Sequence, residues 1–144
     1  MAETPATQMD YPLVYASWET RAFWEGCGRG EIVLQRCRDC QTVQHKPRAI
    51  CATCLSSEID SFVASGRGIV YTFTVTHQNQ ALPFRDNCPY VMAYVTLAEG
   101  PRMFTSIVGV EPSAVRIGME VVADFASQTR TDGEVFAVPR FRPA

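Results

Sequence analysis

The chain has 144 residues and a formal net charge of -2, a length that suits one ordinary domain or two very small ones. At 47% hydrophobic and 19% charged it is too apolar to stay disordered and polar enough to be globular. The acidic balance lacks the basic footprint of a nucleic-acid binder. No apolar run reaches the length of a membrane span, and the opening "MAETPATQMDYPLVYASW" has no basic segment followed by an apolar one, which favours the cytoplasm.

Residues 1–12, with Pro5 and Pro12, read as a flexible leader. "YASWETRAFWEGCGRG" is expected to be helical, with Ser17 as N-cap, Glu19 in the first turn, and Gly26, Gly28 and Gly30 stopping it. On that helix Tyr15, Trp18 and Ala22 share a stripe, with Phe23 adjoining. "EIVLQRC" alternates as a short strand that delivers Cys37 at its end, so residues 13–62 are expected to form a helix and a small ribbon.

Residues 63–144 read as a separate all-β unit. "GIVYTFTVTHQ" is a strand with Ile69, Tyr71, Phe73 and Val75 expected on one face. "PYVMAYVTL" places Val91, Ala93, Val95 and Leu97 on one face and turns at "EGP" into "RMFTSIVGV". "EPSAVRIG" reads as one helical turn, and "MEVVADF" and "EVFAVPRFRP" complete five strands across "TDG". That count suits a small closed barrel of the OB type, with a sandwich missing one edge as the competing arrangement.

Four of the six cysteines lie in "CRDCQTVQHKPRAICATC", as two C-x-x-C pairs ten residues apart. Where thiols stay reduced, such pairs point to metal ligation rather than disulfides. Cys37, Cys40, Cys51 and Cys54 would fill the tetrahedral shell of a zinc ion, leaving no open position, so the metal would be structural. The spacer is shorter than in most zinc ribbons. Two buried cysteine pairs, labile disulfides and a rubredoxin-like iron site remain alternatives.

His45, between the pairs, is expected at the surface or behind the ligands, and Cys27 and Cys88 as small buried thiols. His77 reads as structural, and no hydrolase elbow, metalloprotease helix or phosphate loop is present in the sequence. Arg36, Arg38, Lys46, Arg48 and Arg67, interleaved with Asp39, Glu58 and Asp60, read mainly as a solvated face. Within it Lys46 and Arg48, flanking Pro47, are the candidates for a ligand phosphate. Trp18, Phe23 and Trp24 offer more aromatic area than a ribbon and a barrel easily cover, so they are candidates for partner docking. The competing reading folds the helix back over its own ribbon.

The order of these elements, with the double knuckle, "PR" before the second pair, "SGRGIVYTFTVTH" and "GPRMFTSIVG", resembles the family of acyl-CoA-associated proteins that join a rubredoxin-like zinc ribbon to an OB-fold. The likeness runs from about Trp18 to the end. It implies a mainly β chain, with an N-terminal helix and rubredoxin-like zinc ribbon followed by a five-stranded OB-fold barrel, and a structural zinc on the four cysteines. It also implies a non-catalytic accessory subunit that binds a thiolase-like enzyme, or a related acyl-CoA hydratase or aldolase, and helps form its acyl-CoA channel. Gln41 stands where the family often has glycine, and Ala52 replaces a common proline. The alternative function is a single-stranded nucleic-acid module built from the same two folds. A free-standing acyl-CoA enzyme would need a nucleophile and base that the sequence does not place together.

Overall fold

In the computed structural model, residues 16–82, 84–129 and 133–144 are described; the expected leader, Tyr15 and two residues of "TDG" lie outside them. Ser17 and Thr20 exchange hydrogen bonds, from Ser17 N–H to Thr20 Oγ1 at 2.9 Å and from Thr20 N–H to Ser17 Oγ at 3.3 Å. This reciprocal pair closes a turn in the manner of a capping box. The regular helix, α1, follows at Arg21–Gly28 with Thr20, not Ser17, at its N-cap.

Because the helix starts late, the face it buries is Phe23, Gly26 and Cys27 rather than the expected stripe through Trp18 and Ala22. Gly26 does not stop the helix. A Cβ there would lie 2.4 Å from Val33 Cγ2, so its missing side chain lets the helix press onto the next strand. Gly30, at φ 77, ends the turn, in a conformation that suits glycine.

Three strands make the ribbon: β1 (Val33–Cys37), β2 (Val43–Gln44) and β3 (Ile59–Val63), in the order β2-β1-β3 with antiparallel pairing throughout. The third was not expected, because "IDSFV" is only partly buried and alternates weakly.

Five further strands follow: β4 (Arg67–Thr76), β5 (Tyr90–Leu97), β6 (Arg102–Ile107), β7 (Glu120–Thr129) and β8 (Val135–Pro143). They close as β4-β5-β6-β8-β7, with β7 returning to β4, so the barrel is the OB-fold and not the sandwich. The single turn expected in "EPSAVRIG" is a 3-10 turn at Pro112–Ala114, between β6 and β7. Strand β5 buries Val91, Ala93, Val95 and Leu97, as its alternation requires.

Strand β4 departs from expectation. A register shift between Val70 and Thr72 breaks its alternation, so Phe73 and Val75 pack toward the core while Ile69 and Tyr71 stay about half exposed. A bulge adds one residue to one strand and so reverses which side chains face inward beyond it. The core runs without a break from Phe23, Cys27, Ile32 and Leu34 into Val70, Leu97, Met103 and Phe141 of the barrel, so helix, ribbon and barrel share one apolar interior.

Gly68 marks the tightest point of the barrel: a Cβ there would meet Val95 Cγ1 at 2.5 Å and the Thr96 carbonyl oxygen at 2.8 Å. Because a backbone oxygen cannot swing aside, Gly68→Ala is expected to cost about 1–3 kcal/mol. The urea midpoint measures this, and an unchanged midpoint would contradict the packing described.

Candidate metal centre and adjoining pocket

The two cysteine turns are built alike. Cys37 N–H donates to the Thr42 carbonyl and Gln41 N–H to the Cys37 carbonyl; in the second turn Cys51 N–H donates to Ser56 and Leu55 N–H to Cys51. Gln41 and Leu55 each take φ 65, the left-handed conformation that a tight knuckle needs after its second cysteine. The lack of glycine at position 41 therefore leaves the knuckle intact, at the cost of local strain. Arg38 pairs with Glu58 and Asp60, both at 3.2 Å, and Ser56 Oγ donates to Asp39 Oδ2 at 2.5 Å, so charges and hydroxyls join the first turn to β3 and to the second.

These turns bring all four sulfurs within 4.8 Å of one another. Cys37 and Cys54 approach to 3.6 Å and Cys40 and Cys51 to 3.5 Å. Disulfide sulfurs lie about 2.05 Å apart, whereas a tetrahedron with metal–sulfur bonds of about 2.3 Å spaces its sulfurs by roughly 3.8 Å. The square therefore fits a tetrahedral ion with every position taken, which confines such a metal to cross-linking. The Thr42 side chain and backbone, bonded to the Cys40 thiol, hold it down to about 6. Backbone N–H groups of Cys54 and Thr53 lower Cys51 as well, whereas at Cys54 the lowering by the Ser56 backbone hydrogen bond is outweighed by burial and the three neighbouring thiols, which raise it to about 12. Outside the square, burial pushes Cys27 up to about 12, and Cys88, half-buried, donates to the Phe84 carbonyl.

Between the knuckles, residues 45–50 are held by two glutamines that sequence reasoning missed. Gln35 Oε1 accepts from Gln44 Nε2 and from Arg48 N–H, both at 2.8 Å, while Gln35 Nε2 donates to the Arg48 carbonyl at 3.0 Å. Gln44 is only 7% exposed, and its Oε1 accepts from Ala52 N–H. Glu19 accepts from Ala49 N–H at 3.2 Å, tying the helix approach to the same segment. A polar residue at a buried strand position was the available signal.

This segment forms one wall of an apolar pocket of about 290 Å³. Phe23 and Trp24 line it from α1, Pro47 and Lys46 from the ribbon, Met92, Met103 and Phe104 from β5 and β6, and Val138 and Pro139 from β8. His45 also lines it, its ring 5.2 Å from that of Phe23, and Nδ1 is buried without a hydrogen-bond partner among the described residues. Burial, with the Lys46 charge adding, pushes the imidazole down to about 4, so it is neutral, on the pocket wall and not among the four clustered ligand positions.

The expected site residues are distributed unevenly. Trp18 is 74% exposed, but Phe23 is 5% exposed and belongs to the core, and Trp24 is half-buried on the pocket wall. The helix thus folds back over its own ribbon and barrel, and the expected patch shrinks to Trp18. Lys46 stands at the pocket lip and Arg48 just beyond Pro47, both exposed, with no carboxylate in salt-bridge reach among the described residues. Arg36 lies 4.7 Å over the Phe62 ring, and Arg67 and His77 are exposed on and just past β4. Among the described residues, no helix is long and apolar enough to cross a membrane.

Ribbon and barrel together define a zinc-ribbon and OB-fold protein. Residues 24–60 match the model of the ChsH2 rubredoxin-like zinc ribbon domain, and residues 63–126 that of the ChsH2 C-terminal OB-fold domain. A DUF35 domain-containing scaffold protein of Methanocaldococcus jannaschii is 37% identical over 78% of this chain and 81% of its own. A probable enoyl-CoA hydratase alpha subunit of Thermomonospora curvata is 40% identical over 85% of this chain, which spans only 37% of that subunit's length. Among solved structures, the Ltp2-ChsH2(DUF35) aldolase aligns with a TM-score of 0.78 at 34% identity, covering 91% of this chain and 98% of that one. The chain belongs to the DUF35 family of ChsH2-type zinc-ribbon and OB-fold proteins.

The buried imidazole sets a pH signature. An unfolded histidine titrates near 6.5 and this one near 4, so between those values the unfolded chain binds more protons. The stability linked to His45 is full above 6.5 and is lost as pH falls toward 4. Its NMR titration is expected near the lower value; a midpoint at 6.5 in the folded protein would contradict the burial.

Proposed function

We propose that this chain is a non-catalytic accessory subunit that joins an acyl-CoA enzyme of the hydratase, aldolase or thiolase-like kind and helps form its acyl-CoA channel. The observation behind this reading is the apolar pocket between helix, ribbon and barrel, with two exposed cations, Lys46 on its lining and Arg48 two residues on, neither with a carboxylate in salt-bridge reach among the described residues. Ligand pockets usually measure roughly 300–1,000 Å³, and this one, at about 290 Å³, suits an acyl chain or pantetheine arm rather than a whole coenzyme. Phosphates of the nucleotide end would then meet Lys46 and Arg48 outside it. The names of the relatives point the same way, toward a hydratase subunit, an aldolase assembly and scaffold proteins.

In this reading the chain's residues bind and position. Phe23, Trp24, Met92 and Met103 exclude water from the ligand's apolar arm, Gln35 and Gln44 hold the cationic segment in place, and Trp18 is free to touch a partner. Cys37, Cys40, Cys51 and Cys54 would hold a zinc ion, which would supply a cross-link and no chemistry. Cys27, protonated and fully buried, is no nucleophile.

Three outcomes follow. Cys37→Ser or Cys54→Ser is expected to lower bound zinc and solubility together, and a variant retaining a full equivalent of metal by elemental analysis contradicts the zinc assignment. Co-expressed with the acyl-CoA hydratase, aldolase or thiolase-type enzyme encoded nearest to it, the chain should co-purify, and the enzyme's turnover should fail in its absence. Lys46→Glu should raise the assembled enzyme's KM for acyl-CoA several-fold. Turnover of acyl-CoA by the isolated chain would sink the proposal.

A further inference from the structure

The bulge in β4 has a consequence on the outside of the barrel. It turns Ile69 and Tyr71 outward, each 49% exposed, beside Tyr94 at 46% on β5 and Phe104 at 56% on β6. The Tyr94 and Phe104 rings pack 5.1 Å apart across paired strands, and the Arg102 guanidinium lies 3.6 Å above the Tyr71 ring. From Ile69 to Thr76, and throughout β5 and β6, the sequence contains no Asp, Glu or Lys; Arg102 is the only charge. A contiguous aromatic face of this kind marks an interaction site.

We infer that this outer face of β4, β5 and β6 is where the acyl-CoA enzyme of the proposed function docks, an inference that rests on that reading. The partner presents a largely apolar surface with a carboxylate opposite Arg102. Tyrosine, phenylalanine, methionine and arginine with no lysine or acid is the composition of a protein interface core. Single-stranded nucleic acid needs several cations along its stacking platform, and this face has two, Arg102 and, at the start of β4, Arg67. A second copy is disfavoured by symmetry: an isologous contact would bring Arg102 and Arg67 against strands that carry no acid, Glu120 standing only at the edge, across from Ile69 on β7. Phe104 and Met92 also line the apolar pocket, so a subunit seated here adjoins the pocket. The channel is then a composite of two chains.

The test uses the full chain co-expressed with the same neighbouring acyl-CoA enzyme, measuring affinity by titration calorimetry, metal content and melting. Tyr94→Glu and Arg102→Glu, both at exposed positions, should weaken the complex roughly tenfold or more while metal content and melting stay at wild-type values. If the wild-type complex forms and both variants bind as tightly, the docking face is wrong while the accessory role stands. If no wild-type complex forms, both fall. A wild-type homodimer that Tyr94→Glu dissociates, or retention on oligo(dT) that it abolishes, would reassign the face to a second copy or to nucleic acid and overturn the inference.

Discussion

Convergence of four sulfurs within 4.8 Å is the constraint on which the amino-terminal half depends. Its sheet is slight: β2 is two residues long and β3 only partly buried, too little apolar area to fix a ribbon by itself. Moreover, both knuckles put a non-glycine residue, Gln41 or Leu55, at φ 65, a conformation that costs about 1–2 kcal/mol for an L-residue. Such strain persists only where the surroundings over-determine the backbone. Sulfurs fixed at their corners, with the Arg38 ion pairs and the Asp39–Ser56 hydrogen bond, supply that determination. The segment from His45 to Ile50 hangs between these two anchors, and its position follows from theirs.

The helix joins this rigid ribbon to the barrel. Phe23 and Cys27 enter the same core cluster as Val70, Met103 and Phe141, and Gly26 allows the close approach to Val33. Cys27 behaves as a small hydrophobe, which is why burial holds its thiol protonated. The pocket exists because the helix and residues 45–47 lean over β5, β6 and β8 without filling the space between. Ribbon and barrel thus shape one pocket together, although they match separate domain models.

The cysteine square and most of the barrel were legible in the sequence because each is written in local spacing. Two C-x-x-C turns state their own geometry, and the period-two burial of β5 states its inward face. The features that escaped depend on non-local partners. The bulge at Val70 and Thr72 is set by pairing with β5, and it alone reverses the faces of β4. Strand β3 exists because β1 offers it an edge, not because "IDSFV" alternates. Trp18 and Phe23 are chemically alike in a one-dimensional reading, yet one is exposed and the other in the core, since the helix that sorts them begins at Arg21.

Where the apolar surface ends up bears on how such a chain can act. The barrel core is filled mainly by valine, leucine and methionine, with Phe141 fully buried among them, while Tyr71, Tyr94 and Phe104 stand outside. Exposing three aromatic rings on one sheet forgoes stability that their burial would provide, roughly 25 cal/mol per Å² of apolar surface. Arg102 over Tyr71 recovers only a small part of it at so exposed a position. A second polypeptide against that sheet would bury the rings after folding instead of during it. It would also adjoin the neighbouring pocket, so one contact would serve both the assembly and the ligand site.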